Sequence, residues 1–279
     1  MKTNIVLRLL SCLFVLGCFS SCLSNPVNEI EKRQENLDPA FEELLASIDS
    51  FEQENNYATD APTRKIHWGF VVAADCVPLV LLAATDIWGV GLGLGVINSF
   101  FAAIFEMGYS EVNWQRPDGF LTDSSMAMVN EDDAGTIHNL VISNLIQEMD
   151  VEEFHEMSDW DLFNLIKNEM TEYLPDESID MTRNEFQQLM QSIPDPREYV
   201  GYDSYESAVF AAHPELADEL TVTFRVLRTV LAQETEELAE SYTQGVMQLI
   251  RESSIPNASK QGLISSISVQ KASKELWYD

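Results

Sequence analysis

Apolar side chains recur three and four positions apart along most of the chain, which is the repeat of a helix with one buried face. The first such stripe follows Asp38, a typical N-cap residue, and Pro39, which is favoured at the first helical position. Thr182 and Glu185 form a capping-box pattern before another stripe. The alternation typical of strands does not persist, so the pattern predicts an all-α protein. The other predicted helices are 133–149, the stretch after Ser158, a long stretch from Pro214 to about Ser253 with a break near 232–236, and a last helix capped by Asn257.

Residues 66–107 differ from the rest because they are almost entirely apolar. Between Trp68 and Phe105 the charged residues are Asp75 and Asp86 alone. We predict a helical hairpin that turns near Asp86 and is buried at the centre of a helical bundle. A carboxylate in such a segment must be paired, hydrogen-bonded or protonated. Arg64 and Lys65 are candidate partners in sequence; alternatively, both aspartates mark an exposed helix edge.

Four glycines in the second half of the hairpin form a glycine-zipper pattern. On a helix, Gly89 shares a face with Gly93, and Gly91 shares a face with Gly95. Small residues four positions apart let two helix backbones approach closely. Each glycine costs about 1 kcal/mol relative to alanine in a helix, so tight packing must compensate. These residues and the two aspartates are therefore candidates for hairpin packing or insertion.

The chain begins with two basic residues, Lys2 and Arg8, which precede a short apolar run, 9–16. This run is too short to span a bilayer about 30 Å thick. This arrangement is typical of an export signal. Small residues then lead into cysteines instead of a small-x-small cleavage site. Val15-Leu16-Gly17-Cys18 resembles the lipobox of bacterial lipoproteins, and Phe19-Ser20-Ser21-Cys22 resembles a relaxed form of it.

The resemblance implies cleavage just before the cysteine and attachment of diacylglycerol to its sulfur. We favour lipidation at Cys22, which leaves a signal of ordinary length, over Cys18; secretion without a lipid is the other alternative. The predicted organisation is a signal peptide over 1–21, a spacer over 22–38 and one helical domain over 39–279. The protein is then exported and lipid-anchored in the cell envelope, on the periplasmic or cell-surface side.

The charge of the chain limits its partners. Two of the 16 basic residues lie in the signal, so 14 remain against 46 acidic residues and the mature net charge is about −32. Such a chain is repelled by nucleic acid, which we exclude as a partner. After cleavage at Cys22, Cys76 is the one remaining cysteine besides the anchor, so the core and not disulfides must hold the fold.

Patterns that carry chemistry are weak in this sequence. The nucleophile elbow, the P-loop and the zincin motif are absent. Glu152-x-x-His155 lacks the second pair of a di-iron site, and the acidic run after Asp176 lacks the ligand spacing of an EF-hand. His138-Asn139 is more typical of a structural polar pair. We therefore predict no enzyme activity, no metal and no cofactor.

Two functions remain. The first is a binding or structural module that presents acidic helical surfaces to an envelope protein partner. The alternative is a membrane-active protein that inserts 66–107, a segment similar to the hydrophobic hairpin of colicin-type pore formers; Pro78 and the short turn weigh against it. Outside the signal, the Gly-rich hairpin and Leu276-Trp277 resemble exported bacterial lipoproteins, a resemblance that implies no activity.

Overall fold

A computed structural model describes residues 37–59, 63–82, 88–107, 133–148, 151–171, 173–174, 179–199 and 201–278. Every regular element in these ranges is a helix, which confirms the all-α prediction. The α-helices are α1 (Pro39–Asn55), α2 (Thr63–Leu82), α3 (Trp88–Met107), α4 (Ala134–Glu148), α5 (Val151–Glu156), α6 (Asp159–Met170), α7 (Arg183–Ser192), α8 (Tyr202–Ala212), α9 (Ala217–Ala232), α10 (Glu236–Glu252) and α11 (Asn257–Tyr278).

The helix ends follow local side-chain chemistry. The Asp38 carboxylate accepts a hydrogen bond from the Ala40 amide at 2.8 Å, and Asn56 ends α1 in the left-handed region at φ 55°. Both bonds of the Thr182–Glu185 capping box are formed. Asn257 lies within the first turn of α11 instead of capping it, because the Pro256 carbonyl already accepts from the Lys260 amide at 2.9 Å.

The hairpin of α2 and α3 lies at the centre of the bundle. Between residues 69 and 82, and again between 89 and 102, nearly every side chain is buried. Helix α2 packs on α3, α11, α9 and α8, while the other side of α3 meets α4 and α6. Pro78 lies inside α2 without ending it. The apolar segment is therefore the core around which the other helices pack, and the predicted turn at Asp86 falls outside the described residues.

Two of the glycines let the hairpin close tightly. A Cβ on Gly95 would overlap the carbonyl oxygen of Asp75, and one on Gly91 would lie 3.0 Å from that of Pro78. Gly93 is on another side of α3, where a Cβ would meet the Met170 sulfur at an ordinary 3.4 Å. Gly89 is buried in the first turn of α3. The face shared by Gly91 and Gly95 is thus the one that contacts α2.

The remaining helices add further core on both sides of the hairpin. An aromatic and aliphatic cluster joins α3, α4, α6 and α7, a second joins α2 to α8 and α9, and a third joins α1, α9, α10 and α11. Helix α8 had not been predicted. The long stretch from Pro214 is divided as expected, with the break between α9 and α10 at residues 233–235. Among the described helices, none combines the length and the apolarity needed to cross a membrane.

Candidate functional site

Asp75 lies in the middle of α2 with no exposed surface. The Ser273 hydroxyl of α11 donates a hydrogen bond to its Oδ2 atom. Ser99 of α3 lies beside the same carboxyl and itself accepts a hydrogen bond from the Trp277 indole at 2.8 Å. Asp75 therefore joins the hairpin to the C-terminal helix through hydroxyl groups, and the described contacts give it no Lys or Arg partner.

His138 of α4 completes this cluster, and it too has no exposed surface. Its Nε2 atom is 3.7 Å from Asp75 Oδ2, and its Nδ1 atom is 3.0 Å from the Asn139 side-chain oxygen. The Asn139 amide donates to the Ala272 carbonyl at 2.7 Å. We call Asp75, Ser99, His138, Asn139 and Ser273 the buried polar centre. It brings together residues from α2, α3, α4 and α11.

Burial controls the protonation of this centre. It raises the pKa of Asp75 well above its usual range, and the hydroxyls of Ser273 and Ser99 offset this only in part. It also lowers the pKa of His138 to about 4. Burial therefore favours the uncharged form of each group, the carboxylic acid of Asp75 and the neutral imidazole of His138. Asp75 Oδ1 and His138 Nε2 have no hydrogen-bond partner among the described residues.

The enclosure of the polar centre argues against chemistry there. A substrate has no access to side chains without exposed surface. The neighbouring thiol is equally inert, because burial raises the pKa of Cys76 to about 12 and the thiolate is the reactive form. Cys76 is free and buried, and its thiol donates to the Ala73 carbonyl at 3.5 Å. We regard the centre as structural.

An open pocket of about 610 Å³ lies on the surface where α1 meets α9. All the side chains around it can form hydrogen bonds. They are Asp49, Glu52, Gln53, Asn56, Tyr57, Thr59 and Arg225.

A buried carboxylate organises this pocket. Glu52 is only 2% exposed, and its Oε1 atom accepts from the Tyr242 hydroxyl at 2.8 Å and the Thr229 hydroxyl at 2.9 Å. Its Oε2 atom accepts from Arg225, whose same Nη2 group lies 3.1 Å from Asp49 Oδ1. The guanidinium is thereby fixed on the pocket wall while the Arg225 side chain keeps 31% of its surface exposed.

The pocket is flanked by a strongly acidic surface. Helices α1 and α10 lie side by side. The hydroxyls of Tyr57 and Ser241 form a hydrogen bond at 2.9 Å, and the Phe51 ring packs against Gly245. We call the exposed acids of these two helices the acidic face. Leu238, at the start of α10, is 45% exposed and is the one large exposed hydrophobic residue in the described part of the chain. The acidic face comprises Glu42, Glu43, Asp49, Glu54, Glu236, Glu237, Glu240 and Glu252.

Several predicted site residues fall outside the described ranges. They include both lipidation candidates, Cys18 and Cys22, and also Asp86. The side chains of the Glu152–His155 pair are not described either. Within the described residues, no group of three or more His, Cys, Asp or Glu side chains is arranged to hold a metal ion.

The pocket was not anticipated from the sequence. Glu52 was not among the predicted site residues, yet it follows the buried Ile48 by four positions and so lies on the buried stripe. That spacing could have identified it. Comparisons with protein-family models, curated proteins and solved structures find no match to this chain.

Proposed function

We propose that the protein is an exported, lipid-anchored module of the bacterial cell envelope that binds a basic protein partner through its acidic face. The observation that carries this proposal is the pairing of α1 with α10, two adjacent helices that together carry eight exposed carboxylates and one exposed leucine. Charges of one sign on a surface raise the association rate of a partner with the opposite charge. Leu238 adds an apolar side chain to the acidic face. Apolar contacts bordered by charged residues are common in protein interfaces.

The position of the acidic face fits a tethered protein. With lipidation at Cys22, the spacer over 22–38 reaches at most about 60 Å when fully extended. Helix α1 begins directly after the spacer. Anionic head groups repel the carboxylates of α1, so the face turns away from the bilayer and toward other envelope components. Two or three fatty chains on one cysteine make this tether stable.

Crosslinking in intact envelopes tests the proposal. Replacing Glu43, Glu54 and Glu237 by Gln removes three charges from the acidic face without altering the core. The matched control replaces Glu156, Glu198 and Asp203 by their amides, which removes the same charge from exposed positions on other elements. We expect the first variant to lose the crosslinked partner band and the control to keep it. Equal crosslinking by both variants would refute the acidic face as the binding surface.

The membrane-inserting alternative requires the hairpin to leave its place between α4, α6, α9 and α11. Neutralisation of the hairpin aspartates at low pH would lower the cost of this insertion. Burial already raises the pKa of Asp75, so acidification adds little at that residue. Dye release from anionic liposomes at several pH values separates the two functions, because the binding module causes no leakage at any pH.

A further inference from the structure

The pocket between α1 and α9 has walls that both donate and accept hydrogen bonds. Arg225 is a donor, Asp49 is an acceptor, and the amides of Gln53 and Asn56 are both. Its charges almost cancel, because two carboxylates line it with one guanidinium. Among the described residues, none with an aliphatic side chain lines it; Tyr57 contributes the aromatic surface.

The polar groups of the pocket are held in place before any ligand binds. Glu52 is satisfied by three donors, one of which is Arg225. Within the described residues, the Nε and Nη1 groups of Arg225 form no hydrogen bond, and Asp49 Oδ2 accepts none. The Tyr57 ring is fixed by packing against Tyr242 with centroids 5.1 Å apart. Such fixed groups reduce the entropy lost on binding.

These properties select among classes of ligand. An anion meets one net negative charge in the pocket and the acidic face around it. An apolar ligand finds no aliphatic wall, and the described residues offer no cluster for a metal ion. A neutral ligand with adjacent hydroxyls can donate to Asp49 and accept from Arg225 at the same time. A sugar ring also carries C–H faces that pack on an aromatic ring.

We propose that the pocket lined by Asp49, Tyr57 and Arg225 binds a neutral carbohydrate. Adjacent ring hydroxyls bond to the Asp49 carboxylate and the Arg225 guanidinium, and the ring packs on Tyr57. The volume of about 610 Å³ falls in the range of small-ligand sites, roughly 300–1,000 Å³, which accommodates more than a single sugar unit. The pocket adjoins the proposed acidic face and shares Asp49 with it.

Ligand-observed NMR with the full mature chain tests this inference. The probes are maltotriose, cellotriose and chitotriose at millimolar concentration, with spermidine as a cation and glucuronate as an anion. We expect at least one neutral trisaccharide to bind. The double variant Asp49→Ala/Gln53→Ala should weaken that binding by about tenfold or more, equivalent to about 1.4 kcal/mol. The control Glu43→Ala/Ser50→Ala changes exposed positions of α1 that do not line the pocket and should bind normally.

Three results would overturn the inference: no binding of any neutral trisaccharide, equal binding by the two double variants, or binding of spermidine or glucuronate alone. Circular dichroism and urea unfolding of each variant exclude loss of the fold as the cause. Crosslinking of the protein partner by the single variant Gln53→Ala, which lines the pocket and leaves every carboxylate of the acidic face in place, separates this test from that of the acidic face. A carbohydrate site can fail while the partner band persists, and the reverse also holds.

Discussion

Asp75 and His138 exchange protonation states between the folded and unfolded chain. In the unfolded chain, Asp75 titrates near 3.8 and His138 near 6.5, so between these values the carboxylate is charged and the imidazole is protonated. In the folded protein, burial keeps the proton on Asp75 and off His138. The raised pKa of Asp75 makes stability fall as pH increases and the lowered pKa of His138 makes it rise, so the two contributions oppose each other between pH of about 4 and 6.5.

Single substitutions should give opposite slopes for the free energy of unfolding as a function of pH. In Asp75→Asn only His138 remains, with its folded pKa of about 4, so its contribution to the free energy of unfolding rises with pH from about 4 to 6.5. In His138→Gln only Asp75 remains, with its raised pKa, so its contribution falls as pH increases above about 4. Each slope is at most about 1.4 kcal/mol per pH unit.

Urea unfolding across this pH range measures these slopes as differences from the parent protein, which cancels the other carboxylates. Above pH of about 4 the parent should lose stability relative to Asp75→Asn, because ionisation of Asp75 favours the unfolded chain. Slopes of the same sign in both variants would contradict the neutral pair.

At the scale of residues, the sequence predicted that one buried carboxyl needs a partner, but it did not identify that partner. The charge pattern identified Asp75 as a carboxyl that needed a partner or a proton. Its partner Ser273 lies 198 positions further along the chain, and His138 lies in a different helix, α4. Local spacing cannot show such contacts, because they depend on how the helices pack.

At the scale of the elements, the contact of α2 with α3 requires that residue 95 has no side chain. Gly95→Ala would place a methyl group against the Asp75 backbone carbonyl, which cannot move without shifting α2. We expect it to lower the free energy of unfolding by about 1–3 kcal/mol or more. Gly93→Ala meets the flexible Met170 side chain at an ordinary distance and gains helix propensity, so we expect a change within about 1 kcal/mol, toward higher stability.

Urea unfolding of both alanine variants tests this contrast, and each serves as the other's control because both replace a buried glycine of α3. If Gly95→Ala were as stable as Gly93→Ala, the close approach of the two helices would be refuted. Gly91→Ala should fall between them, because its Cβ would lie 3.0 Å from the Pro78 carbonyl oxygen.

Periodicity predicted most helices because their buried stripes are regular. It missed α8, although Tyr202, Tyr205 and Val209 have helical spacing, because Gly201 at its start gives no side-chain cap. Pro78 was taken as weighing against insertion of the hairpin, yet α2 continues through it. The burial of α2 on several sides offsets the hydrogen bond that proline removes.

At the scale of the whole molecule, the proposed attachment to the membrane rests on one thiol, that of Cys22. Cys22→Ser should abolish incorporation of labelled palmitate and leave the signal uncleaved, whereas Cys18→Ser should retain both processes. Metabolic labelling followed by intact mass measurement distinguishes these outcomes. Palmitate lost only in Cys18→Ser would move the anchor to Cys18, and a chain labelled in neither parent nor variant would refute lipid attachment.

We propose that this protein binds its partner through its surface and keeps its apolar hairpin as a fixed core. The membrane-inserting alternative requires that core to open. Cys76 reports on opening of the core, because it lies in the middle of α2. In a mature chain with an acylated Cys22 it is the one remaining thiol.

Reaction of Cys76 with a small maleimide in intact envelopes is therefore the most direct measurement, made at mildly acidic and neutral pH against the same sample unfolded in guanidinium. A fixed core predicts labelling at least about 1,000-fold slower than in the unfolded sample, because the thiol reacts only in rarely populated open states. Labelling at a rate close to that of the unfolded sample would contradict the account.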